Sequence, residues 1–221
     1  MFHDALIAEE VLALASKAKK IPVGKRSGRH STAQRFINKR LADAACGHSV
    51  VVRLKGGDPM LFGRAHEELS YLQERGVRVE VVPGVTAALA ASAKLGVSLT
   101  RRGTARTVAF VTPRAAAGER ESHWVASVLA ADTAAVYMGA GEAHAIAAAL
   151  IEAGKPAGTP IALVEAASLP EMRVQYATLE ALPRLATAGG PTLILLGEVY
   201  REALAGTVAI LRRRGQASQR P

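Results

Sequence analysis

Val51-Val-Arg-Leu-Lys-Gly-Gly-Asp-Pro-Met-Leu-Phe-Gly63 is the stretch from which the fold is read. Val50 to Leu54 has the apolar pattern of a buried strand, and helical periodicity begins after Gly63. Between them lies Lys55-Gly56-Gly57-Asp58-Pro59, a strand-to-helix loop, which is where open α/β sheets gather ligands. Gly56 and Gly57 permit close backbone approach and positive φ. Asp58 can accept hydrogen bonds from hydroxyls or an amine, and Pro59 stiffens the exit. An ordinary turn uses the same residue types, so the loop alone does not establish a site.

On both sides of this loop, strand-like and helix-like patterns alternate. Strands are expected at Ile21–Val23, Ser49–Leu54, Val77–Val82, Thr107–Thr112, Ala134–Met138, Pro160–Val164, Arg173–Ala177 and Thr192–Leu196. Helices are expected at Glu9–Ser16, Thr32–Ala45, Arg64–Arg75, Thr86–Leu95, Ser122–Ala130, Glu142–Ala153 and Leu179–Leu185. Such alternation predicts an α/β fold built from βαβ units, with a mainly parallel first sheet. The segment between Val164 and Arg173 has no room for a helix, so the second sheet is predicted to be mixed. Leu99-Thr-Arg-Arg-Gly-Thr-Ala-Arg106 has no long apolar face and is read as the boundary between domains at 1–100 and 101–205, with a basic tail at 206–221. The chain opens at Met1-Phe-His-Asp on what reads as the end of a strand, so residues are expected to be missing before it.

Apolar residues make up 49% of the 221 and aromatics only 4%, so the core must be mostly Ala, Val and Leu. Cys46 is the single cysteine, which excludes an intrachain disulfide and a multi-thiolate metal site. The six histidines show no metal-ligand spacing, and no metal is expected. No signal peptide or membrane span is read in the sequence, which points to the cytoplasm. The formal charge of +9 comes from 28 Lys and Arg against 19 Asp and Glu. Nucleic acid, an acidic surface or an anionic small substrate all suit that charge, but the basic residues lack the interleaved aromatics that single strands stack on.

Other strand ends carry chemistry of their own. Pro83-Gly84-Val85-Thr86-Ala87-Ala88 repeats the strand, turn and helix arrangement, with Thr86 either an N-cap or a ligand contact. Neither glycine loop has the spacing of the phosphate-binding or dinucleotide fingerprints. Val23-Gly-Lys-Arg-Ser-Gly-Arg-His-Ser31 is loaded with cations, and suits either a solvated turn or a substrate rich in carboxylates. His3-Asp4, Tyr137-Met138-Gly139 and Glu165-Ala166-Ala167 also end strands.

Taken together, Val-Gly-Lys-Arg-x-Gly-x-His at 23–30, Val-Arg-Leu-Lys-Gly-Gly-Asp-Pro-x-x-Phe-Gly-Arg at 52–64, Val-Val-Pro-Gly-Val-Thr-Ala at 81–87 and the later Tyr-Met-Gly resemble uroporphyrinogen-III C-methyltransferase, within the tetrapyrrole methylases. The order and spacing fit from about Phe2 to Leu204. The resemblance implies two α/β domains with S-adenosylmethionine in the cleft between them, in a homodimer. It also implies methylation of uroporphyrinogen III to precorrin-2, by two transfers that leave S-adenosylhomocysteine, in siroheme or cobalamin biosynthesis. Cofactor contacts carried over are Gly56, Gly57, Asp58, Leu61, Thr86, Ala87, Met138 and Ala167. Asp4 matches a proposed proton acceptor and Lys25 a proposed proton donor, while Lys25, Arg26, Arg29, His30 and Arg53 would meet the substrate. No nucleic-acid or membrane partner is implied.

The chain departs from the pattern at several places. The family's first strand and its Gly-Pro-Gly-Asp-Pro loop are absent, His3 stands for Tyr, and Arg101 stands for His. Thr112-Pro113-Arg114 replaces Thr-Gly-His, and Glu165-Ala166-Ala167 replaces Glu-Asn-Gly. A methylase of another tetrapyrrole intermediate or of RNA, and a copy that binds without turnover, are the alternatives.

Overall fold

The computed structural model describes residues 1–23, 34–115 and 122–207. The chain divides into two compact units, one spanning Met1–Thr86 and one from Ala87 onward. The break thus falls at Thr86 rather than near residue 100. The physical reason is helix Ala87–Leu95, whose Ala88 and Ala91 are fully buried in the same cluster as Leu193, Leu195 and Tyr200 of the second unit.

In the first unit, β1 (Phe2–His3), β2 (Ile21–Pro22) and β3 (Arg53–Leu54) form a parallel sheet in the order β2-β1-β3. Phe2 is buried with Val23, Ile37, Leu41, Ala42 and Leu72. These last residues come largely from α2 (Gln34–Gly47) and α3 (Ala65–Gln73), which pack over the sheet; the short α1 (Glu9–Ala13) precedes β2. Because all three strands run the same way, Asp4, Val23 and Lys55 leave the sheet at one edge.

Two expectations fail here. The buried strand expected at Ser49–Leu54 shrinks to two paired residues, with Val50 and Val52 exposed, because among the described residues β3 pairs on one side only. The strand expected at Val77–Val82 does not form. Val77 and Val79 still turn toward the core, while Val81 and Val82 are exposed and no described strand lies alongside to complete a ladder. A strand is a property of pairing, and apolar alternation without a partner leaves an extended segment.

The second unit carries α4 (Ala87–Leu95) and a five-stranded mixed sheet. Its strands are β4 (Val108–Val111), β5 (Thr133–Tyr137), β6 (Pro160–Glu165), β7 (Arg173–Thr178) and β8 (Thr192–Gly197), in the order β4-β5-β8-β6-β7. Only β4 and β5 are parallel; the β6–β7 pair is the antiparallel hairpin expected from its short connection. Side chains alternate across the sheet. Val136, Ile161, Leu163, Ile194 and Leu196 face one core, shared with α5 (Trp124–Ala130) and α6 (Ala143–Glu152). Ala135, Ala162, Val164, Leu193 and Leu195 face the other, under α4 and Tyr200. Burial on both faces explains why β6 and β8 read as unbroken apolar runs. The helix expected at Leu179–Leu185 is a 3-10 helix over Leu179–Arg184, since Pro183 inside it removes a backbone donor. No helix among the described residues is long and apolar enough to cross a membrane.

Two measurements test this packing. Leu196→Ala, at a site 1% exposed, is expected to lower stability to urea by about 2–5 kcal/mol, whereas Leu129→Ala, 38% exposed, is expected to cost well under that. The carboxyl of Asp132 is held below the usual range by hydrogen bonds from the Arg106 and Thr107 N–H groups and the Thr107 hydroxyl. A lowered folded value contributes stability above the unfolded pKa that is lost as pH falls through the folded one. The urea midpoint should therefore drop more steeply below about pH 4 in the wild type than in Asp132→Asn.

Candidate active site

In the first unit, the loop after β3 is held by the side chain it contains. Asp58 Oδ1 accepts a hydrogen bond from the Met60 N–H at 2.8 Å, closing a tight turn of the loop on itself. Oδ2 accepts from the Gly84 N–H at 2.9 Å, tying the 56–58 loop to the 83–85 turn. The two backbones touch so closely that a Cβ on Gly84 would lie 2.4 Å from the Gly57 carbonyl oxygen. Gly57 itself has φ 77°, a conformation suited to glycine. Thr86, at the end of this turn, is buried, and Leu61 is half-buried at the far end of the loop.

Asp4 follows β1, with its N–H donating to the Leu54 carbonyl at 3.2 Å. Its Oδ1 accepts from Arg53 Nη2 at 2.5 Å, and its side chain is 25% exposed. Arg53 is not spread toward solvent: Nη1 donates to the Leu54 carbonyl at 3.0 Å and Nε to Glu68 Oε1 at 3.3 Å. Glu68 is buried, and its carboxylate also receives Lys55 Nζ and, at 3.0 Å, Gln34 Nε2. Lys25, Arg26, Arg29 and His30 lie outside the described residues.

In the second unit, β5 and β6 both run antiparallel to β8, so they run parallel to each other and their carboxyl ends share one sheet edge. Met138 leaves β5 there and Ala166-Ala167 leave β6, two strand spacings or about 10 Å apart. Met138 is exposed; Ala166 is buried and its N–H donates to the Pro191 carbonyl at 2.8 Å. Glu165 is buried, with Oε1 accepting from the Gly190 N–H at 2.9 Å. The Tyr137 hydroxyl accepts from the Ala88 N–H at 3.1 Å, fixing the first turn of α4, where Ala87 sits.

Among the described residues, the non-glycine residues with left-handed backbone are Phe62, Arg64, Met138, Ala166 and Ser168. Each lies in, or directly beside, a loop that the sequence singled out. Such conformations cost about 1–3 kcal/mol apiece and gather where a site over-determines the backbone. Sequence reasoning missed Glu68, and it noted Tyr137 only as part of a strand-end motif, without its hydrogen bond to α4. For Glu68 a signal exists: it stands on the stripe Ala65, Glu68, Leu72 that α3 turns to the core, a charge at an apolar position.

The sequence profile of the tetrapyrrole (corrin/porphyrin) methylases matches residues 2–183. A siroheme synthase of Tolumonas auensis is 41% identical over 211 residues, 95% of this chain and 45% of its own length. The chloroplastic S-adenosyl-L-methionine-dependent uroporphyrinogen III methyltransferase of Arabidopsis thaliana is 41% identical over 90% of this chain and 56% of its own length. The chain therefore spans about half the length of these curated relatives. The crystal structure of uroporphyrin-III C-methyltransferase from Thermus thermophilus, complexed with S-adenosylhomocysteine, superposes with a TM-score of 0.79 at 40% identity, covering 90% of this chain and 85% of that one. With the profile covering most of its length, the chain belongs to the tetrapyrrole methylase family.

Proposed function

We propose that this chain is an S-adenosylmethionine-dependent C-methyltransferase that methylates uroporphyrinogen III twice, giving precorrin-2 and S-adenosylhomocysteine. The observation that carries this reading is the coincidence of the left-handed backbone positions with the loops bearing the family motifs. The likeness to the Thermus enzyme supports the choice of substrate and cofactor. The family reading carries a homodimer, and a cytoplasmic location is inferred from the sequence alone.

Gly56, Gly57, Asp58, Leu61 and Thr86 of the first unit, and Ala87, Met138 and Ala167 of the second, are assigned to the cofactor. The donor set fits it. Each Asp58 oxygen gives one lone pair to backbone and keeps another for a hydroxyl or an ammonium group. Gly56 and Gly57 present exposed backbone and carry no side chain of their own. When bound, S-adenosylmethionine supplies an electrophilic methyl on a sulfonium.

The chain's own residues then align the partners and manage the proton. Asp4 is assigned the proton that the ring gives up after methylation: Arg53 engages Oδ1, while Oδ2 accepts no hydrogen bond from the described residues and is the atom left to take it. Lys25 is assigned the return of a proton. Lys25, Arg26, Arg29 and His30 are assigned to the substrate carboxylates, and the net charge of +9 favours approach of so anionic a molecule. Arg53, with three of its nitrogens engaged inside the first unit, has only its remaining N–H groups to offer a substrate.

Incubation with S-adenosylmethionine and uroporphyrinogen III is expected to give a product two methyl groups heavier by mass spectrometry, and Asp4→Asn is expected to lower kcat by about 10²–10⁴. A wild-type chain that leaves the mass of uroporphyrinogen unchanged removes this reading. For the cofactor loops, Gly84→Ala drives a Cβ into the Gly57 carbonyl, so calorimetry should show S-adenosylmethionine affinity falling by about ten- to a hundredfold. Gly47→Ala, where a Cβ meets open space, should leave affinity as it was.

A further inference from the structure

Stability alone does not account for a carboxylate at the Glu68 position. Replacing a buried ion pair by apolar residues of similar volume is often neutral or stabilising, and α3 already turns Ala65 and Leu72 to the core on either side. What Glu68 does have is a set of donors from three places, Gln34 of α2, Arg53 of β3 and Lys55 of the loop after it. Gln34 Nε2 at 3.0 Å and Lys55 Nζ at 3.3 Å both donate to its Oε1, and Lys55 Nζ also reaches Oε2 at 3.4 Å, which restrains the carboxylate. Held in this way, Glu68 Oε1 fixes Arg53 Nε at 3.3 Å, and the Leu54 carbonyl fixes Arg53 Nη1 at 3.0 Å. A guanidinium is planar, so two fixed nitrogens dictate where the third points. The third is Nη2, and it meets Asp4 Oδ1.

We propose that Glu68 is a positioning residue for Asp4, acting through Arg53: it orients the guanidinium that in turn holds one Asp4 oxygen and presents the other. The inference rests on the reading of Asp4 as the proton acceptor, and adds to it a buried residue, on a different element, that sets the acceptor's geometry. Lys55 links the same carboxylate to the start of the Gly56–Asp58 loop, so a single buried group anchors both the acceptor and the root of the cofactor loop.

The test is a double-mutant cycle on the full chain. Glu68→Gln is expected to lower kcat for uroporphyrinogen methylation by about ten- to a hundredfold, with KM for S-adenosylmethionine within about twofold of wild type. In an Asp4→Asn background the same substitution should cause no further loss, because the group it positions is already gone. An equal loss in both backgrounds overturns the proposal, as does an unchanged kcat. If Glu68→Gln does not fold, Arg53→Lys keeps the charge but loses the planar fork, and the same non-additivity with Asp4→Asn is expected. A crystal structure of the folded variant gives a readout apart from turnover: the Asp4 carboxylate should leave its wild-type position, and finding it unmoved overturns the proposal. Failure of the wild type to methylate uroporphyrinogen would refute the parent reading alone, and the position of Asp4 in that crystal structure would still decide the role of Glu68.

Discussion

A carboxylate taken out of water has to be met by donors, and in the first unit that carboxylate is Glu68. Gln34 reaches it from α2, Arg53 from β3, and Lys55 from the loop beyond β3. Gln34 also donates to Asn38, whose own amide donates to the Glu67 carbonyl, so the two helices are joined by polar contacts as well as by Ile37, Leu41 and Leu72. Removing the carboxylate would leave Lys55 without its ion-pair partner and Arg53 with Asp4 alone, both with little exposure to solvent. Arg53, which meets Asp4, and Lys55, at the start of the glycine loop, are both gathered around that one group.

The second unit meets a different demand. Its sheet is covered on both faces, and a fully buried Leu, Ile or Val contributes about 1.5–3 kcal/mol relative to exposure. Ile161, Val164, Ile194, Leu195 and Leu196 are all of this kind. Burial on that scale offsets the left-handed backbone at Met138, Ala166 and Ser168, where the strands stop. Strain is therefore confined to the edge where β5 and β6 end, while the strands behind it are regular. The Tyr137 hydroxyl and the Ala166 N–H show how the loops are held, by hydrogen bonds to backbone some distance away in sequence.

Legibility in the sequence followed the range of the interactions. Strands β5, β6 and β8 were visible as apolar runs because both of their faces are buried wherever they pair. Val77–Val82 carried the same alternation and forms no strand, because nothing described lies beside it to accept its hydrogen bonds. Leu179–Leu185 had helical spacing, and the local conflict came from Pro183, which was there to be read. Helix α4 had correct limits to within a residue, yet its membership of the second unit depended on Leu193, Leu195 and Tyr200 about a hundred positions downstream. Within the site, the motif loops and their glycines were legible, whereas the pairing of Asp4 with Arg53 joins residues 49 positions apart.

Residue order was enough to establish the α/β alternation, the mixed character of the second sheet, the loops at strand ends and membership of the methylase family, since each of these is written in local spacing and residue type. Folding in three dimensions decided the rest: which segments pair, that the units part at Thr86, that Asp58 spends two lone pairs on neighbouring backbone, and that Arg53 turns inward to join Glu68 with Asp4. Most of these contacts, such as Asp58 with Gly84 and Arg53 with Asp4, join atoms from distant parts of the chain, and no short window of sequence contains both sides of them.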